Sequence, residues 1–274
     1  MVFFKYLRYL GLKLKYYIIL NGTLLKLIDY RIQLKDDYIF KMSDDGRIAV
    51  LSIPTCPLLA SENVGSIWIF IKNDQWRLLR QITPKTVEDN LYFGSGIDIS
   101  SDGKMIAVSM PNQQPSTLQV NDETTPRYKS TSYLTLGAGS VTIFDQFVYQ
   151  KRDGSWHLDY KFYDKLQSTD YDSESEFGRN LTFSPDGEYL AVAVPKALMF
   201  GIRVGEIAIY RWDAHGYRLV MKIRGQLGFS NFGMDMHFSR DNDCLFCKYR
   251  NQSGKVIKAV FPFQNSELQE NLCG

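Results

Sequence analysis

The side chains able to do chemistry in this chain are few and scattered. The densest group is the run Asp170-Tyr171-Asp172-Ser173-Glu174-Ser175-Glu176, the best local candidate for holding a cation. Such a run also has the composition of a solvated loop. Cys244-Leu-Phe-Cys247 has the spacing of half a zinc site, but no second Cys or His pair answers it, and His157, His215 and His237 stand apart in sequence. If this segment is a strand, positions i and i+3 point to opposite faces and the two thiols diverge. With Cys56 and Cys273 they make four scattered cysteines, the pattern of buried structural thiols in a reducing compartment. No nucleophile elbow, Walker loop or zinc-binding helix motif is present. No catalytic or cofactor-binding residue is assigned, and the expectation is a protein that is not an enzyme.

Composition argues against a nucleic-acid role. Of 274 residues 45% are apolar, with 17 Tyr and 17 Phe, and 32 basic against 30 acidic residues leave a net charge of +2. Phosphate binding needs a concentrated basic surface, so no nucleic-acid partner is expected. The first 35 residues are the uneven part, with Lys5, Arg8, Lys13, Lys15, Lys26, Arg31 and Lys35 against Asp29 alone. Lys13 and Lys15 interrupt the only stretch that resembles a signal peptide, which needs roughly 7–15 uninterrupted apolar residues. No run approaches the roughly 20 residues of a membrane span. A cytoplasmic or virion-associated protein is the expectation, with residues 1–15 as a basic arm that makes an assembly contact.

The elements that must position these residues come from a repeat. Phe93-Gly94 leads to Ser101-Asp102-Gly103, then Ala107-Val108 and Pro111; Phe177-Gly178 leads to Pro185-Asp186-Gly187, Ala191-Val192 and Pro195. Asp45-Gly46 leads to Pro54 without the Phe-Gly, and Phe232-Gly233 leads to Asp241-Asn242. A second half follows each unit. Gly65-Ser66-Ile67-Trp68-Ile69-Phe70 precedes Trp76-Arg77-Leu78; Gly139-Ser140-Val141-Thr142-Ile143-Phe144 precedes Trp156-His157-Leu158; Gly205-Glu206-Ile207-Ala208-Ile209-Tyr210 precedes Tyr217-Arg218-Leu219. Alternating apolar positions bounded by Asp-Gly and polar turns predict strands and hairpins. Trp76, Trp156 and Tyr217 then read as packing residues between units, and Gly65, Gly139 and Gly205 as backbone requirements.

Four short strands repeated at uneven intervals predict an all-β protein, a β-propeller. The ends suggest how it closes. Tyr16–Leu20, Asn21-Gly22 and Thr23–Tyr30 look like the second half of a unit, while Phe232–Tyr249 and Gly254–Phe261 supply a first half and a third strand. Pairing the ends gives four blades of four strands, the last closed by N-terminal strands; a fifth, degenerate blade results if both end pieces stand alone. The expected organisation is a basic arm at 1–15, one propeller over 16–263, and a polar tail at 264–274. A Ser-, Thr-, Asn- and Pro-rich insertion, 112–138, interrupts the second blade, and loops of this length are functional or disordered.

At these residues the chain resembles FG-GAP repeats, the units of integrin α-chain propellers, and in particular their calcium-free variety. The resemblance rests on Phe93, Gly94, Asp102, Gly103, Phe177, Gly178, Asp186 and Gly187 together with Trp76 and Trp156, and spans roughly residues 16–263. It implies a propeller with a binding or scaffolding role. Integrin-type turns hold calcium with several alternating carboxylates, whereas Ser43-Asp44-Asp45-Gly46, Ser100-Ser101-Asp102-Gly103 and Ser184-Pro185-Asp186-Gly187 offer one or two carboxylates before Gly; such an Asp fixes a turn, and calcium is not expected. WD repeats are a more distant likeness, since Trp212-Asp213 occurs once and Asp-Gly turns fall at unequal intervals of 57, 84 and 55 residues. Carboxylates that met in the central channel would give a hydrolase its acid and base. Asp98, Asp235 and Glu206 are the candidates, but Asp98 and Asp235 coincide in the repeat only if the register slips by two residues. The reading is a non-enzymatic interaction or assembly module contacting a protein or polysaccharide, with a virion component or a propeller hydrolase as alternatives.

Overall fold

The computed structural model describes residues 2–7, 15–20, 23–29, 38–85, 87–112, 139–167, 175–213, 215–225, 230–250 and 255–262. All regular structure in them is β. The first blade is the meander β4 (Ile39–Met42), β5 (Ile48–Ile53), β6 (Ser66–Lys72) and β7 (Trp76–Ile82). The second is β8 (Ile97–Ile99), β9 (Met105–Met110), β10 (Ser140–Gln150) and β11 (Trp156–Leu166). The third is β12 (Leu181–Phe183), β13 (Tyr189–Val194), β16 (Glu206–Asp213) and β17 (Gly216–Arg224), with a small hairpin, β14 (Leu198–Met199) and β15 (Ile202–Arg203), in its middle loop. The fourth contributes β18 (Ser230–Phe238), β19 (Cys244–Arg250) and β20 (Val256–Pro262). First strands of successive blades, β4 with β8, β8 with β12 and β12 with β18, run beside one another around the axis, the arrangement of a β-propeller.

Alternation along each strand builds the core between blades. Val50, Ile67 and Ile69 of the first blade meet Ile97, Ile106 and Val108 of the second. Ala107, Val141 and Ile143 meet Leu181, Leu190 and Val192 of the third. Ala191, Ala193, Ile207 and Ile209 then meet Phe232, Met236, Leu245 and Cys247 of the fourth. On the second strands of the inner blades, Ala107, Ala191 and Ala193 face the next blade, while Ile106, Val108, Leu190 and Val192 face the previous one. This lets neighbouring sheets approach without voids.

The repeated turn explains its own sequence. Ser43, Ser100 and Ser184 each donate to the Oδ1 of Asp45, Asp102 and Asp186 (2.6, 2.8 and 2.5 Å). Each serine Oγ also accepts from the backbone N–H that opens the second strand, at Ile48, Met105 and Tyr189. Each aspartate accepts in addition from the N–H two residues on, at 2.9, 3.0 and 2.9 Å. The carboxylates are thus committed to fixing the turn.

The ends differ from expectation. β1 (Val2–Leu7), β2 (Lys15–Leu20) and β3 (Thr23–Asp29) form a three-stranded sheet, and the described pairings join them only to one another. Among the described residues no pairing joins them to β20, and the expected closure of the last blade by residues 16–30 is not among these pairings. Residues 2–7 of the expected arm are a strand. β3 runs beside β7, and the face of the first blade that turns away from the second, Ala49, Leu51, Trp68 and Phe70, is fully buried. The insertion from 113 to 138, the acidic residues 170–174 and the tail from 263 lie outside the described residues.

Candidate functional site

Counting back two residues from the turn serines gives one position on each first strand: Lys41, Asp98, Thr182 and His237. Lys41 Nζ lies 3.0 Å from Asp98 Oδ1. The backbone N–H of Phe183, on the first strand of the next blade, donates to Asp98 Oδ2 at 2.8 Å. Buried Asp98 therefore ties three consecutive blades together at the axis. His237 stacks on Phe246 at 5.0 Å.

The other candidate carboxylates do not join Asp98. Asp235 lies two residues earlier in its repeat than Asp98 does and pairs with Lys248 on its own blade. Glu206 is buried on the third strand of its blade, between Arg224 at 3.0 Å and Lys222 at 3.6 Å. Each carboxylate has a separate cation, and no two of them share a site in which opposed acid and base roles would arise. Among the described residues no three His, Cys, Asp or Glu side chains gather as a metal site. Cys247 is in the core, where burial pushes its thiol up to about 11, and Cys244 points away from it, as a strand requires.

Two loops at one end of the propeller carry a feature that the sequence pattern did not flag. Leu59 and Phe200 are each the first residue of a tight turn between the second and third strands of a blade. They adopt left-handed φ values of 57° and 51° and are 87% and 95% exposed. Leu58 and Ser61 close one turn through backbone bonds in both directions; β14 and β15 close the other. The 112–138 insertion leaves the second blade at the same place, and Asn112 beside its root donates to Asn90 O at 2.9 Å. A left-handed leucine or phenylalanine costs about 1–2 kcal/mol, and an exposed apolar tip adds no burial to offset it.

At the opposite end the aromatic of the fourth strand covers the Asp-Gly turn. Tyr217 donates to Gly187 O at 2.6 Å, and Tyr160 donates to Gly103 O. Burial pushes both phenols well above their usual range. Trp76 occupies the same place in the first blade and is buried. Trp156 does not: the β10–β11 hairpin is four residues longer on each strand than the β6–β7 hairpin, so Trp156 stands 69% exposed near its tip and Tyr160 takes the packing position. This corrects the assignment of Trp156 as an inter-blade packing residue. Lys165 shows a different departure: its Nζ is buried without a hydrogen-bond partner, and burial pushes its pKa down to about 8.

These features define a β-propeller. No protein-family model matches the chain, and no curated protein matches it. Among solved structures it is similar to Sqt1 of Chaetomium thermophilum, at 11% identity and TM-score 0.46, over 76% of this chain and 40% of that one. It is similar to the Dos1 propeller, at 10% and 0.47, over 93% and 48%. It is also similar to the periplasmic gluconolactonase PpgL of Pseudomonas aeruginosa, at 12% and 0.38, over 93% and 80%. The chain thus spans less than half the length of Sqt1 and of the Dos1 propeller. These likenesses concern architecture alone.

Proposed function

We propose that this chain is a non-enzymatic interaction module, an FG-GAP-like propeller that docks a partner protein through the end carrying Leu59, Phe200 and the 112–138 insertion. The observation that supports this reading is the pair of exposed apolar tips on left-handed backbone, since each combines a backbone cost with an unburied side chain at the same place in two blades. Strain of this kind is characteristic of sites where a partner or ligand provides the return. The charges around Leu59 are acidic, with Glu62 and Asp89 close by in the loop framework, which disfavours an anionic lipid surface. A hydrolase reading has less support, because Asp98, Asp235 and Glu206 are each held by their own cation. Assembly into a larger particle is the same reading with a structural subunit as partner.

The test is site-specific photo-crosslinking in the native source, with the reactive group placed in turn at 59, at 200 and, as a control, at exposed Val148 at the opposite end. The reading expects one protein to be captured from both 59 and 200 and not from 148. Equal yields from all three positions would overturn it.

A further inference from the structure

The fourth strands of the three complete blades share a local sequence that the rest of the chain almost never repeats. Trp76-Arg77-Leu78-Leu79, Tyr160-Lys161-Phe162-Tyr163 and Tyr217-Arg218-Leu219-Val220 each read aromatic, cation, apolar, apolar. The fourth residue is the one skipped by a bulge: Leu78 and Arg80 pair with consecutive residues of β6, Phe162 and Asp164 with consecutive residues of β10, and Leu219 and Met221 with consecutive residues of β16. The aromatic covers the blade's own turn and the cation sits on the exposed edge. One further copy of this pattern occurs in the chain, Phe4-Lys5-Tyr6-Leu7, and it lies within β1.

The last blade is where a fourth strand is missing. β20 is bonded to β19 along one edge and to no described strand along the other. Val256 and Val260 on it are about half exposed. β1 is likewise an edge strand, bonded to β2 on one side alone among the described pairings. A β1 held in its own sheet can therefore offer its free edge to a β20 without breaking any pairing, and edge strands left open are templates for such addition. Among the described residues of one chain β1 stays with β2, and β20 keeps one unpaired edge.

We propose that β1 of a second copy of this chain is the fourth strand of the last blade, so that two copies join β20 to β1 as one continuous sheet. A reciprocal exchange closes a two-fold dimer with two such seams, and a one-way exchange gives a growing array. Lys5 of one copy and exposed Lys258 of the other then lie on facing strands.

The experiment mixes unlabelled and nitrogen-15-labelled full-length protein, adds a lysine-specific crosslinker, and reads the Lys5–Lys258 pair by mass spectrometry. About half of these crosslinks should join one labelled and one unlabelled chain. A Lys5–Lys258 crosslink found only within chains of one label would assign the closure to a single chain and overturn the proposal. Light scattering during size exclusion should give at least twice the mass of one chain, and an excess of a synthetic Val2–Leu7 peptide, but not its scrambled version, should return it to the single-chain mass. A single-chain mass at every concentration tested, or an assembly indifferent to the peptide, would equally overturn it. Because both readings use the intact chain, neither depends on a truncated protein folding.

Discussion

The carbonyl oxygen of Phe93 occupies the place where a side chain on Gly65 would begin: a Cβ at Gly65 would lie 2.1 Å from it. Gly65 opens the third strand of the first blade, at φ +90°, and Phe93 opens the second blade. The same meeting recurs between Gly139 and Phe177, where the distance would be 2.4 Å. The two halves of the repeat are therefore two sides of one inter-blade contact. Gly65→Ala should destabilise the protein by about 3 kcal/mol or more, combining left-handed backbone with a clash against main chain that cannot yield. Gly46→Ala, at φ +68° with nothing near its Cβ, should cost about 1 kcal/mol. Urea unfolding of both variants checks the difference, and equal losses would show that conformation alone sets the requirement.

The hydroxyls over the turns separate Tyr160 and Tyr217 from Trp156. Tyr160→Phe and Tyr217→Phe each remove one buried bond to a glycine carbonyl and should each cost about 1–2 kcal/mol. Trp156→Ala should stay within about 0.5 kcal/mol, as expected of a surface change. A large loss for Trp156→Ala would restore it to the packing position.

Asp102 and Asp186 should behave as turn residues. Asp186→Ala breaks bonds from Ser184 and from the Glu188 N–H and should lower stability by about 1–2 kcal/mol. Adding millimolar calcium to the unaltered protein should leave its melting temperature where it was. A rise with calcium that Asp186→Ala abolishes would show the turn carboxylates to be ligands.

Leu59 and Phe200 invert the usual rule for apolar residues. Leu59→Asn and Phe200→Asn place at left-handed backbone a residue that tolerates it, and stability should hold or rise by up to about 1 kcal/mol. Thermal melts of the two variants and the crosslinking partner's binding to them give both sides of the comparison. Stability falling by more than about 1 kcal/mol would mark the tips as parts of the fold.

Lys165 gives the protein a pH dependence of definite sign. Its pKa falls from 10.5 in the unfolded chain to about 8 in the folded one, so between these values the unfolded state binds more protons and stability rises with pH. Below pH 8 the penalty is complete and constant. Lys165→Met should raise stability at pH 7 by about 1–3 kcal/mol and remove the rise between pH 8 and 10.5. A variant no more stable than its parent would mean that the ammonium is solvated.

Most of the blade was readable because its signals are local. Asp102-Gly103 and Asp186-Gly187 announce turns, and the apolar positions of Ile106–Met110 announce a strand, which the structure buries on both faces. The site was harder to read. Nothing in Leu58-Leu59-Ala60 or Met199-Phe200-Gly201 distinguishes an exposed tip from a core segment, since apolar residues are the expected content of either. Trp156 was misplaced because its assignment relied on distance from a turn, while the bulge opposite Ile143 and Phe144 sets the register from the other end. The slip between Asp98 and Asp235 was visible from residue counts and is reproduced in the strand pairing.

What the sequence determined by itself is the blade: a β-propeller built from turns whose Ser, Asp and Gly satisfy one another within a few residues, and strands whose alternation requires a sheet on each side. Only the tertiary structure decided which partners those faces and edges find. It separated Asp98, Asp235 and Glu206 onto different cations, turned Leu59 and Phe200 outward, and set β1–β3 beside the first blade while no described strand pairs with the outer edge of β20. The physical reason is range. A turn is closed by bonds between residues two to five apart, but an edge or a face can be satisfied by any strand or sheet of suitable pattern, and the choice among them is made by packing over the whole chain.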